Sequence, residues 1–172
     1  MAIASYFQYI VYVFMLIILA MAGFLIMEYR GLKKIIKEKL EFNHEAMKLK
    51  LQALERLTIY TERAGLQNLI GRIENLQTSA FVLHQTLTET LRVEYEYNAS
   101  QQIYVSPEIW AAITRLKEQN TYVINQLAAT LPVEANAMDL SKRILEFGLN
   151  QQAELSNIVL NALKFEAQKI LN

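Results

Sequence analysis

Beyond its glutamates, this 172-residue chain offers little for proton transfer or metal ligation: two histidines, one aspartate and no cysteine. Glu41-Phe42-Asn43-His44 has the Glu-x-x-His spacing that carboxylate-bridged di-iron bundles place on each of two helices. Here it occurs once, and Phe81 stands where a second copy ending at His84 would need a carboxylate. A metal site would therefore need a half-site from each of two chains; otherwise Glu41 and His44 are solvated surface residues. His84, on an apolar helix face, reads as a hydrogen-bonded core histidine.

The absence of cysteine removes thiolate nucleophiles, disulfides and cysteine-ligated metals. Asp139 begins or caps a helix, so nothing recommends it for a Ser-His-Asp assembly. No Gly-rich phosphate loop, His-Glu-x-x-His helix or Gly-x-Ser-x-Gly elbow is present. Arg92, Glu94 and Glu96 with Tyr95 and Tyr97 form a candidate polar patch, or equally a charged helix end beside Asn98. Asn98-Ala99-Ser100 matches a glycosylation acceptor only in form and reads as a helix-ending turn. We expect no catalytic residue, no cofactor and no resident metal.

Residues 2–27 carry no charged side chain. At about 1.5 Å per residue, such a helix crosses a hydrocarbon core of roughly 30 Å. A cleaved signal peptide is the poorer reading. The first five residues hold no Lys or Arg, and the apolar run continues through Gly23-Phe24-Leu25-Ile26-Met27 past the small-x-small Ala20-Met21-Ala22. Tyr6, Tyr9, Tyr12 and Tyr29 suit the interfacial belts, or alternatively pack on a partner helix. Gln8 and the small residues Ala20, Ala22 and Gly23 offer a close-approach patch, but no small-xxx-small pair.

Five basic residues (Arg30, Lys33, Lys34, Lys37, Lys39) against Glu28 and Glu38 follow the span. Basic flanks stay in the cytoplasm, which predicts an outside N-terminus and a cytoplasmic C-terminal domain at the inner membrane. The 17 basic and 17 acidic residues balance overall, but not locally. The basic surplus lies in 28–65, where anionic lipid attracts it. The acidic surplus of 66–172 argues against nucleic acid as a partner.

The rest reads as helix. No β-branched run alternates with polar residues for long enough to form a strand, and Ile103-Tyr104-Val105 is read as an extended connector. A helix over about 32–64 continues the span, with Ile36, Leu40, Met47, Leu54 and Leu57 on one stripe. Its seven-residue spacing suits a short coiled coil with Asn43 setting register; the alternative is a helix that packs only near its far end. Gly65 is placed to end it in the left-handed C′ conformation, and a short helix over 66–76 comes next.

Thr78 or Ser79 caps the next helix, which runs to about Asn98 with Phe81, Leu83, His84, Leu87, Leu91 and Tyr95 on its apolar side. Ser106-Pro107-Glu108 is the clearest helix start in the chain: a hydroxyl N-cap, proline at N1 and a first-turn carboxylate. That helix places Ile109, Ile113, Leu116, Asn120, Val123, Leu127 and Leu131 on one face, and Pro132 closes it. A last helix over about 136–171 spaces Leu140, Ile144, Phe147, Gln151, Leu155, Ile158, Ala162 and Phe165 likewise.

The expected architecture is all-α: a transmembrane anchor over 1–29, a charged juxtamembrane helix over 30–64 and an antiparallel helical bundle over 65–172 that packs with the far end of 30–64. Trp110 and Ile124, with Leu145, Leu149, Val159 and Leu163, are surplus to the stripes. They are either ordinary core of a broad buried face or a candidate surface for another copy or another protein.

The segment from Glu94 to Trp110, and above all Ser100-Gln101-Gln102-Ile103-Tyr104-Val105-Ser106, resembles one in a family of bacterial membrane-anchored helical proteins that carries a domain-of-unknown-function label. The similarity covers most of the chain and implies the span, connecting helix and helical domain, but no activity and no site residues. From the residues themselves, Gln101, Gln102 and Tyr104 are read as a connector that satisfies helix ends, with a recognition loop as the alternative.

The absent catalytic constellations favour a non-enzymatic accessory or scaffold subunit, held by lipid contact through residues 2–27 and binding a protein partner or its own copy. The alternative is a membrane-bound enzyme or small-ligand sensor with an unrecognised site among the helices.

Overall fold

The computed structural model describes residues 2–73, 77–149 and 153–171, with side chains from residue 12 onward and, in the last helix, from residue 155. The order is α1 (Ala2–Ala64), α2 (Leu66–Gly71), α3 (Ala80–Asn98), a 3₁₀ turn (Ala99–Ile103), α4 (Pro107–Ala129), α5 (Ala137–Phe147) and α6 (Ala153–Leu171). Among the described residues there is no strand, only an isolated bridge between Ser79 and Asn136. The chain divides into two units, Met1–Ala46 and Met47–Asn172.

The first unit is helix throughout its described length. From Tyr12 onward it contains a window of mean hydropathy 2.1 with nothing buried. One helix is thus long and apolar enough to cross a membrane. Farther along, Lys34–Glu38 and Lys37–Glu41 sit at 3.8 Å, the i,i+4 pairing of a solvated helix face. Ile36 and Leu40 are exposed, as is Met47 at the start of the second unit, while Leu54 and Leu57 are buried. The stripe is therefore core only near the far end of α1.

The second unit is built on one apolar cluster that draws on every helix. Leu83, Leu87 and Leu91 of α3 face Ile109, Ile113, Leu116 and Val123 of α4, at the spacing read from the sequence. Leu140 and Ile144 of α5 and Leu66, Leu69 and Ile70 of α2 complete it. Phe81 departs from its predicted apolar face and is exposed, as it lies in the first turn of α3 beyond the leucine row.

Helix starts agree with the local chemistry. The Ser79 hydroxyl accepts from Val82 N at 3.3 Å and the Ser106 hydroxyl from Ile109 N at 3.3 Å, with Pro107 at the first position of α4. Asn136 and Asp139 form a reciprocal capping box at 3.0 and 3.1 Å. Ala80 N donates to Ala135 O at 2.9 Å and Ala137 N to Thr78 O at 2.8 Å, which clamps the starts of α3 and α5 side by side.

Four expectations are corrected. Gly65 ends α1 but at φ −55° and ψ 133°, not left-handed, because side chains rather than a reversed backbone satisfy the helix end. The extended connector is instead a 3₁₀ turn over Ala99–Ile103, with Tyr104 also in the right-handed helical region. Helix α2 stops at Gly71. In the predicted last helix, α5 passes into a π-type turn at 148–149, residues 150–152 lie outside the described residues, and the stripe expected in α6 is not the buried one. In α6 the buried residues are Val159 and Leu163, while Ile158 and Phe165 of the predicted stripe are exposed. The side chains of Tyr6, Gln8 and Tyr9, residue Gln151, and residues 74–76 of the predicted short helix lie outside the described residues.

Candidate functional site

The end of α1 organises the polar interior. An α-helix leaves its last four carbonyls without intrahelical partners. Here Thr61 O accepts from Gly65 N at 3.2 Å, Glu62 O from Asn68 Nδ2 at 2.8 Å, Arg63 O from Arg72 Nη2 at 3.0 Å and Ala64 O from Asn120 Nδ2 at 2.7 Å. The side-chain partners come from α2, the turn after it and α4, so the cap of α1 is tertiary. Asn120, on the predicted core stripe of α4, is buried for this purpose.

Arg72 also reaches Glu94 of α3, donating from Nη1 to Oε1 at 2.7 Å. Arg63 of α1 donates to the same oxygen from Nη2 at 2.7 Å. One carboxylate thus ties α1, the turn after α2 and α3. Burial alone pushes the Glu94 carboxyl up, but the hydrogen bonds and charges of Arg63 and Arg72 outweigh it and hold the group below the usual carboxylate range. Glu94 in turn raises Arg63, chiefly through the hydrogen bond.

Beside this triad runs an aromatic row. Tyr60 of α1 meets Tyr95 of α3 edge-on at 6.3 Å, and Tyr95 stacks on Trp110 of α4 at 5.2 Å. The Tyr95 hydroxyl and Thr114 Oγ1 lie 2.9 Å apart, and Lys117 Nζ sits 4.7 Å from the Tyr95 ring centre. Tyr60 is buried, and its hydroxyl has no hydrogen-bond partner among the described residues. Burial first, then the charges of Glu94 and Tyr95, push that phenol well above its ordinary value. Near neutral pH Glu94 is therefore a charge-paired carboxylate and Tyr60 a protonated phenol, which makes the cluster a clamp between helices.

On the outside of the clamp lies an open groove of about 370 Å³ between α1 and α3. Its apolar members are Ile59, Val93 and Tyr97, and its charged members Arg56, Arg63 and Glu94. Arg56 Nη2 donates to the Tyr97 hydroxyl at 3.3 Å, and its guanidinium lies 5.5 Å from the Tyr97 ring centre. Next along α3, Arg92 binds Glu89 at 2.6 Å and Glu96 at 2.7 Å.

The sequence-derived surface residues divide. Ile124, Val159 and Leu163 are buried in the core, which removes them from any partner surface: the surplus apolar residues of α4 and α6 widen the buried faces. Trp110 and Leu145 are half-buried against that core, and Leu149 alone is well exposed. The structure does not gather the six into one patch. What residue types missed is the exposed trio Ile59, Val93 and Tyr97. They lie on two helices 30 residues and more apart, and only Tyr97 stood in the predicted polar patch.

The Glu41-x-x-His44 pair is solvated, with Glu41 beside Lys37 and His44 exposed. Among the described residues no three His, Cys, Asp or Glu side chains converge for a metal. His84 is half-buried, its Nε2 at 2.6 Å from Asn125 Oδ1 of α4.

The fold thus defines an all-helical protein with one long apolar N-terminal helix. The chain belongs to a family of unknown function, DUF7935, whose model matches residues 1–170. No curated protein and no solved structure matches it.

Proposed function

We propose that the protein is a membrane-anchored, non-enzymatic accessory or scaffold subunit of a membrane-associated assembly. Residues 2–27 form its single span in the inner membrane of a bacterium, and the helices from Met47 onward pack as a cytoplasmic antiparallel bundle that binds protein. The observation that carries this reading is the apolar stretch of α1 from Tyr12 onward, which contains a window of mean hydropathy 2.1 with no buried residue. An uncovered surface of that kind is costly in water and favourable in lipid.

The basic flank from Arg30 to Lys39 supports a cytoplasmic domain. The scaffold role is supported by the part-buried Glu94 and the buried Tyr60, which hold helices together. The test is carbonate washing of membranes followed by protease treatment of spheroplasts. The protein should stay with the membrane, and its C-terminal domain should survive protease until the membrane is opened. Release by carbonate would overturn the anchor, and digestion from outside would reverse the orientation.

A further inference from the structure

The face shared by α1 and α3 has three large apolar side chains in the open: Ile59, Val93 and Tyr97 are 53%, 48% and 71% exposed. The two sides of this strip differ in charge. Toward α1, Arg56, Arg63 and Arg72 stand against Glu94 alone, which leaves a positive surplus. Along α3, Glu89 and Glu96 stand four residues before and three after Val93 with Arg92 the single basic residue between them, and Lys117 and Glu118 of α4 across the neighbouring groove offset each other, which leaves a negative surplus.

A two-fold contact presses one patch against its own copy turned by 180°, so the patch must complement itself. A patch with an apolar centre and rims of opposite sign does so, because the rotation sets each copy's arginines against the other's glutamates. An acidic partner would satisfy the arginine rim and be repelled by Glu89 and Glu96; a basic one meets the reverse problem.

We propose that this face is the contact surface for a second copy of the same chain, with Val93 near the two-fold axis and Arg56 of each copy facing Glu96 of the other. This deepens the scaffold reading and rests on it, since anchoring in one bilayer raises the effective concentration of two copies.

The chain has no cysteine, so a single introduced one reports only on itself. In the full-length protein in membranes, Val93→Cys should form disulfide-linked dimers under mild oxidation, because the bond needs the two Cα atoms within about 7 Å. Val133→Cys is the control, 94% exposed but on the connector between α4 and α5, and should stay monomeric. In the Val93→Cys background, Arg56→Glu and Glu96→Arg each set like charges face to face and should lower the dimer yield about tenfold.

Co-expressing those two variants should restore it, because both contacts in the mixed pair then join opposite charges. Both positions are exposed, and circular dichroism with Trp110 emission verifies folding. No excess of Val93→Cys dimer over the control, or no recovery in the mixed pair, would overturn the proposal. Carbonate washing of the same samples separates the causes: a released chain overturns the anchored reading and this one with it, whereas a retained chain without cross-link overturns the dimer alone.

Discussion

Ser106 and Glu166, sixty residues apart, are joined by two hydrogen bonds: Ser106 N donates to Oε1 at 3.0 Å and Ser106 Oγ to Oε2 at 2.6 Å. The same hydroxyl accepts from Ile109 N to cap α4. A residue chosen by local helix chemistry therefore also fastens α6 to the start of α4. Ser106→Ala should cost more than a cap alone, about 1–3 kcal/mol, since it also strips a half-buried carboxylate of a donor. Urea unfolding followed by Trp110 emission reads this, because the chain's only tryptophan lies in the helical unit. In a double-mutant cycle with Glu166→Gln the coupling should be about 0.5 kcal/mol or more; strict additivity would show that the link carries no energy.

Glu94→Gln should loosen the junction of α1, the turn after α2 and α3 by about 1–3 kcal/mol, a value discounted for the partial exposure of the arginines. The pH dependence has a definite sign. The folded carboxyl lies below its unfolded value of about 4.3, so the unfolded chain takes up the proton first. The stabilisation is complete above that value and is lost as pH falls through the folded one. The gap in urea midpoint between wild type and Glu94→Gln should therefore be constant near neutrality and close on acidification; a gap that widened with acid would contradict the assignment.

Asn120→Ala should cost about 1–3 kcal/mol by leaving the buried Ala64 carbonyl without its donor. Asn120→Asp should cost more, as it sets a carboxylate oxygen against that carbonyl. Amide exchange at the end of α1 is the local readout, and unchanged protection in both variants would refute the tertiary cap.

The phase of α6 is tested by two substitutions five residues apart. Leu163→Ala should destabilise by about 2–5 kcal/mol, as expected for a core leucine. Ile158→Ser, on the predicted stripe but exposed, should stay within about 0.5 kcal/mol of wild type. The reverse order of midpoints would restore the continuous stripe from α5.

Periodic and covalently local signals were legible in the sequence. The uncharged run 2–27, the leucine row of α3, the core stripe of α4 and the Ser106-Pro107-Glu108 start all depend on neighbours within a turn or two, and all reappear in the fold. Local spacing also offered Thr78 or Ser79 as a cap, of which Ser79 is the N-cap, and placed Asp139 at a helix start, where it is the N3 residue of the capping box of Asn136.

The tertiary structure alone decided the contacts between segments. Gly65 needed no left-handed turn because Asn68, Arg72 and Asn120 reach the end of α1 from elsewhere. Ile124, Val159 and Leu163 became core rather than surface because the width of a buried face is set by the helices around it, not by the helix that carries it. In α6 the buried face carries Val159 and Leu163 rather than Ile158 and Phe165, because the neighbouring helices, not the spacing continued from α5, decide which residues meet the core. Glu94, the hub of the charged clamp, was visible only as one member of a polar patch, since its partners Arg63 and Arg72 lie 31 and 22 residues away and only packing brings them to 2.7 Å.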